Sequence, residues 1–201
     1  MRRARALLLG LCLLIPAGVL ARGQDAAEAD IHHPPPPSLA GRLLVASPGM
    51  APNLFSGTVV LVCSHDASGG FGFIVNRRAG KVEATEDRKG LDGVPLELGG
   101  PVGNTLLFLL MKADDAPADA MRVAGRFAIG NPEPYFADAV GHPSPNPSLL
   151  VAGYSGWGAG QMEEEIARGD WIVVDADDDL IFDASDEAKW LQALKRKGLD
   201  L

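Results

Sequence analysis

Residues 153–163, Gly-Tyr-Ser-Gly-Trp-Gly-Ala-Gly-Gln-Met-Glu, constrain the fold more than any other part of the chain. Four glycines fall within the eight residues from Gly153 to Gly160 and surround Trp157. Glycine is favoured where a backbone takes positive φ or passes close to another group. The pattern predicts a tight strand-to-helix junction with one large ring held in it. Leu149-Leu150-Val151-Ala152 leads in as a buried strand. Met162 and Ile166 space one face of the helix that follows, and Gly169 is placed to end it.

The first residues have a different character. Arg2, Arg3 and Arg5 precede an apolar run from Ala6 to Leu20, and Val19-Leu20-Ala21 supplies small residues for cleavage. This order of parts predicts a secretory signal peptide over residues 1–21. The run is shorter than the roughly 20 apolar residues of a spanning helix. No stable membrane span is therefore expected after cleavage, and the expected location is the periplasm or outside the cell. An uncleaved N-terminal anchor is the alternative. Residues 22–37 are polar and alanine-rich and end in four prolines, which favours an extended linker. Residues 38–201 have globular composition and suit one domain.

Loss of Arg2, Arg3 and Arg5 takes the net charge from −8 to −11. So acidic a body repels phosphate backbones, and no basic stripe compensates, so nucleic acid is excluded as a partner. Cys12 lies in the leader, which leaves Cys63 alone in the mature chain, with no disulfide and no cysteine-based metal cage.

Between these signals the elements alternate. Residues 41–46 read as a first strand. The continuous β-branched run 58–64 predicts a strand covered on both faces. Residues 71–76 pair with it as a hairpin across Ser68-Gly69-Gly70. Residues 82–90 read as a loop or short helix, and 96–98 as a short strand before a sharp turn at 99–103. The second long apolar run, 105–111, is expected to be central. Strands are also predicted at 122–129, 171–174 and 180–182. Tyr135, Phe136, Ala139 and Val140 space a short helix after Pro134. The last helix has Ser185 as its cap, acids in its first turn and bases in its last, and a buried face of Ala188, Leu191 and Leu194. The whole is an α+β body with a mixed sheet.

Several constellations suggest chemistry. Glu163, Glu164 and Glu165 would repel a phosphate at the helix start after the glycines, and the P-loop lysine is missing. Ser155 lacks the glycine spacing of a nucleophile elbow, and His142 is the one plausible late histidine for a triad. Cys63 and His65 stand two residues apart, which places them on one face of a strand as a potential thiolate–imidazole pair. Packing of the thiol as a small hydrophobe is the competing reading. His32 and His33 read as solvated linker residues. Asp175, Asp177, Asp178 and Asp179 imitate a Ca²⁺ loop, but Leu180 stands where glycine is required and Asp186 where glutamate is required. An acidic hairpin turn is expected there, and no metal site.

Three blocks of this sequence resemble the AlgH/YqgE family. The first runs Gly41-Arg42-Leu43-Leu44-Val45-Ala46-Ser47-Pro48-Gly49-Met50, then Phe55, Val59 to His65 and Gly72 to Asn76. The second is Gly99-Gly100-Pro101-Val102. The third is Gly153 to Glu163, followed by Trp171 and Phe182. The resemblance implies a single α/β domain with a branched, partly barrel-like sheet flanked by helices. It implies no catalytic residues, and some family members bear the label of transcriptional regulator without a DNA-binding motif. The chain departs from the family pattern in having Ser155 in place of Ala and Arg78 in place of Pro. It also adds an export signal and a proline linker to a family that is ordinarily cytoplasmic.

The expected function is therefore non-enzymatic and regulatory, by binding a small ligand or a protein partner, with no cofactor. The expected recess is lined by Trp157, Gly158, Gln161, Cys63, His65 and Asn76. One alternative is a thiol-dependent enzyme using Cys63 with His65. The other is a cytoplasmic regulator that does not itself bind DNA.

Overall fold

The β-branched run forms the buried centre of the sheet, as strand β2 (Val59–Asp66). In a computed structural model that describes residues 37–83, 85, 90–132 and 147–199, its first five side chains are almost wholly inaccessible to solvent. Even-numbered Val60 and Val62 pack on one face with Leu44, Ile74, Trp157, Met162 and Trp171. Odd-numbered Leu61 and Cys63 pack on the other with Leu43, Phe73, Phe127 and Leu194. Both faces are covered, so no polar residue interrupts the run.

The other strands are β1 (Arg42–Ala46), β3 (Gly69–Ile74), β4 (Arg78–Lys81), β5 (Pro95–Leu98), β6 (Val102–Lys112), β7 (Met121–Val123), β8 (Phe127–Gly130), β9 (Ser148–Gly158) and β10 (Trp171–Asp175). The main path of the sheet is β10-β1-β2-β3-β9-β6-β8-β7. Strand β9 is the fork. One of its edges pairs antiparallel with β6, and the other meets β5 in parallel at 150–152 and then β3 antiparallel at 155–158. The result is a single mixed domain, a curled half-barrel sheet with few helices. Helix α1 (Gln161–Ala167) puts Met162 against one face, and helix α2 (Asp186–Lys195) puts Ala193 and Leu194 against the other.

The fork dictates glycine at 99 and 100. A Cβ on Gly99 would lie 2.3 Å from the Gly153 carbonyl oxygen, and one on Gly100 would lie 2.4 Å from the Tyr154 carbonyl. Backbone packs on backbone where β3 and β5 part, and no side chain fits between.

The glycine–tryptophan stretch differs from the predicted junction. Strand β9 continues through it to Gly158, and the turn into α1 is confined to Ala159 and Gly160, whose φ is +72°. Along 155–158, exposure alternates in the two-residue period of a strand: Ser155 and Trp157 are buried, Gly156 and Gly158 exposed.

Three further expectations are corrected. The strand predicted at 122–129 is a hairpin, because Ala124 and Gly125 both take positive φ (48° and 69°) and reverse the chain between β7 and β8. The strand predicted at 180–182 is a π-helical turn over Asp179–Asp183. Asp177 causes this: its carboxylate accepts the Leu180 N–H at 2.8 Å, so the acidic run starts a helical turn instead of a hairpin. In α2 the buried residues are Lys189, Ala193 and Leu194, and Leu191 is 44% exposed. Ser185 holds the cap position, but its hydroxyl makes no capping bond. The helix expected after Pro134, His142, and the signal peptide and most of the linker lie outside the described residues. Among the described residues, no helix is long and apolar enough to cross a membrane.

Candidate functional site

The three segments that meet around Trp157 are the end of β9, helix α1 and the start of β10. Trp157 is 7% exposed and Trp171 is 4% exposed, and their ring centroids stand 6.3 Å apart, edge to face. Both indole N–H groups donate to the same oxygen, Glu165 Oε2, each at 2.8 Å. The other oxygen of Glu165 accepts from the Gln161 side-chain amide at 2.8 Å, one helical turn away. The Gln161 carbonyl oxygen in turn accepts the Gly158 N–H at 3.0 Å. One carboxylate thus joins β9, α1 and β10. Charge-assisted bonds of this kind are roughly twice as strong as neutral ones.

Beside this clamp lies a recess of about 340 Å³. Its walls include Phe55, Trp157 and Trp171, with Met50 alongside and Gln161, Glu165 and Arg168 as polar groups. Phe55 meets Trp171 edge to face at 5.7 Å. Arg168 is held at the rim, where its Nε and Nη2 both donate to Asp170 Oδ2, at 3.1 and 2.8 Å. A larger hollow of about 900 Å³ is walled by Phe71, Leu107, Phe108, Met121 and Ile129, with Asp114, Asp115 and Asp119 as polar groups. The smaller recess is the better candidate, because it alone of the two adjoins the hydrogen-bonded clamp of Trp157, Glu165 and Trp171.

Of the residues expected to line the recess, Trp157 and Gln161 do so. Gly158 is adjacent, with its N–H taken up by Gln161. Asn76 is elsewhere and fully used: its Oδ1 accepts the Val59 N–H at 2.7 Å and its Nδ2 donates to the Gly57 carbonyl at 3.0 Å. It fixes the entry of β2.

Cys63 and His65 face different surroundings. The register of β2 against β3 shifts between Val62 and Ser64, and this bulge breaks the two-residue alternation. The thiol therefore faces the core around Phe73 and Leu61, while the imidazole meets α1. Burial pushes the Cys63 thiol well above its ordinary pKa, so it is held as the neutral form. His65 Nδ1 accepts the Leu39 N–H at 3.2 Å, which puts the ring proton on Nε2. Nε2 lies 3.0 Å from Glu163 Oε1, close enough for electrostatic attraction though outside hydrogen-bond alignment. His65 thereby anchors the chain entering β1. Ser155 is buried and donates its hydroxyl proton to the Gly99 carbonyl at 3.0 Å, tying two of the family-like blocks together.

A second group of charges lies between the β4–β5 hairpin and α2. Glu97 is 1% exposed, and its Oε1 stands 3.0 Å from Arg78 Nη2. Arg78 also reaches Asp186, and buried Lys189 donates to the Val75 carbonyl at 2.7 Å and to Asp186 at 3.2 Å. Burial first, and then the Asp186 charge, raise the Glu97 pKa against the pull of Arg78 and Lys189. Neither Glu97 oxygen has an aligned donor. Among the described residues, no group of three or more His, Cys, Asp or Glu side chains is placed to hold a metal ion.

Sequence reasoning missed Glu165, the residue on which the site is built. Its signal was present: Glu165 follows Gln161 by four residues, the spacing that puts two side chains on one helix face. Phe55 and Trp171 were visible as members of the family-like blocks but carried no polar group that would have singled them out.

The geometry can be set beside known proteins. The AlgH-like family model matches residues 43–201. A UPF0301 protein of Jannaschia sp. (strain CCS1) is 38% identical over 184 residues, covering 87% of this chain and 94% of that protein. A UPF0301 protein of Ruegeria pomeroyi is 35% identical, over 81% of this chain and 93% of its own length. The solution structure of the AlgH protein from Pseudomonas aeruginosa matches with a TM-score of 0.66 at 29% identity, covering 82% of this chain and 92% of that one. A crystal structure of a Corynebacterium diphtheriae protein shares the fold, with a TM-score of 0.62 at 23% identity over 78% of this chain and 86% of that one. Matched from Leu43 to Leu201, and aligned over nearly the full length of its relatives, this chain belongs to the AlgH-like family.

Proposed function

We propose that this protein is a binding and regulatory domain without a catalytic centre of its own, exported from the cytoplasm, whose ligand or protein partner is received beside Trp157. The observation that carries this reading is an open aromatic recess next to side chains already committed to structural bonds. Glu165 holds two indoles and Gln161 holds a backbone amide; Asn76, away from the recess, is committed as well, to one backbone N–H and one backbone carbonyl. A thiol mechanism needs a thiolate within reach of a base, and here the bulge in β2 separates Cys63 from His65. The basic, then apolar, then small-residue order of 1–21 supports export, and the acidic body disfavours nucleic acid as the partner.

Three measurements test this. Iodoacetamide at neutral pH leaves Cys63 unmodified in the native protein and modifies it in denaturant; rapid alkylation of the folded protein would restore the thiol enzyme. Small-molecule fragments screened by ¹H–¹⁵N spectra shift the indole signals of Trp157 and Trp171 and leave Trp190 in place. A full screen with no indole response refutes the recess. Fractionation finds the chain shortened and outside the cytoplasm, and unprocessed cytoplasmic protein would overturn the export reading.

A further inference from the structure

The recess has a chemistry that selects among ligands. Its walls include the rings of Phe55, Trp157 and Trp171, with the polarizable Met50 beside them. Two carboxylates, Glu165 and Asp170, line it against one guanidinium, Arg168, so among the described residues its lining carries one net negative charge. Two of the Arg168 nitrogens donate to Asp170, so its charge is paired with a carboxylate that also lines the recess. The indole N–H groups that might have bound an anion both point at Glu165. The Glu165 carboxylate has room for about four hydrogen bonds and accepts three from protein groups. Aromatic rings attract cations through their quadrupole, most strongly where water is scarce. The acidic chain, with a net charge of −8, adds a long-range field of the same preference.

We infer that the recess beside Trp157 is a cation site, formed by Phe55, Trp157, Trp171 and Glu165, that takes an alkylammonium or guanidinium group. This rests on the binding reading above and names the ligand class for it. The volume of about 340 Å³ suits one such head group with a short stem. The group can arrive as a free small molecule or as a basic side chain of a protein partner, and the chemistry of recognition is shared.

The test is a titration of the purified ¹⁵N-labelled protein with four probes: choline, arginine amide, 3,3-dimethylbutanol (the uncharged isostere of choline) and inorganic phosphate. Choline or arginine amide shifts the Trp157 and Trp171 indole signals saturably, with Trp190 unmoved as internal control. The shift weakens with added salt, and Phe55→Leu raises the apparent dissociation constant at least about twofold, the small end of a lost cation–π contact. Preference for choline points to a free quaternary ammonium, and preference for arginine amide to a partner's basic side chain. Equal binding of the uncharged isostere, or a response to phosphate in place of the cations, overturns the cation inference and leaves the recess standing. Silence from all four probes overturns the cation inference, and it overturns the recess as well only if the wider fragment screen is silent too.

Discussion

Replacing Glu165 by leucine separates the two indoles from their shared acceptor, and the size of the loss follows from the geometry. Trp157 and Trp171 are 7% and 4% exposed, so water can replace little of the missing carboxylate. A buried donor left without a partner costs about 1–3 kcal/mol, and hydrogen bonds to charged groups contribute about 1.5–3 kcal/mol. Two orphaned N–H groups give a gross loss of about 4 kcal/mol on those figures. Leucine recovers about 1 kcal/mol by burying apolar surface against the rings. The expected net is about 3 kcal/mol, which for a domain of this size lowers the unfolding temperature by about 6–12 °C. Glu165→Gln keeps one oxygen for both indoles but turns an amide toward the Gln161 amide, and should lose about 1 kcal/mol, the size of one ordinary hydrogen bond. Glu164→Leu, at an exposed neighbour, serves as control and changes little. Thermal unfolding followed by circular dichroism gives the order wild type, Glu165→Gln, Glu165→Leu. An unfolding temperature for Glu165→Leu within about 2 °C of wild type, less than the shift from 1 kcal/mol, would refute the idea that this carboxylate holds the site together.

Two more outcomes follow from buried groups. Gly100→Ala drives a Cβ to 2.4 Å from the Tyr154 backbone at a φ of +152°, and overpacking of about 1–3 kcal/mol with strain of about 1–3 kcal/mol should make the variant unfold in far less urea; Gly80→Ala, where a Cβ meets nothing within 4 Å, is the comparison that isolates the clash. Equal urea midpoints for the two variants would remove the fork argument. Glu97 has a folded-state pKa raised above its ordinary value, so its contribution to stability is fully present below the unfolded carboxylate pKa and is lost as pH rises through the folded one. Wild type should therefore gain on Glu97→Gln as the pH is lowered from 7.5 to 5, and parallel stability profiles for the two would show that Glu97 is not the titrating group.

Much of the fold was legible because its signals were local and unopposed. The run 59–63 has no polar residue to send either face to solvent, and it lies at the centre. The parts that misled did so for nameable reasons. Phe182 and Ile181 read as strand residues, but Asp177 caps the preceding turn and imposes helical geometry. Ala124 looked like a strand residue and instead takes φ of 48°. The bulge that separates Cys63 from His65 leaves no mark in the residues themselves; it arises from the pairing of β2 with β3, a long-range fact. Lys189 is buried because the Val75 carbonyl and the Asp186 carboxylate, three residues earlier in its own helix, accept its hydrogen bonds, and helix periodicity alone assigns such a residue to solvent.

The same distinction explains why Trp157 announced the site while Glu165 did not. A tryptophan among glycines stands out in any sequence, whereas the last of three consecutive glutamates on a short helix looks like solvated surface. What makes Glu165 different is the sheet beneath it. Strand β9 and strand β10 are separated by three strands in the sheet order, and yet their indoles meet 6.3 Å apart. They lie over the face that carries Leu44, Ala46, Val60 and Val62, where the side chains are short enough for two rings to lean toward each other. Helix α1, spanning the gap between the two strands in sequence, then delivers one carboxylate to both N–H groups. The recess follows from this arrangement: two rings tied edge to face by a common anion cannot also close flat against the loop that carries Phe55. Glu165 therefore both ties the two rings together and lines the hollow beside them.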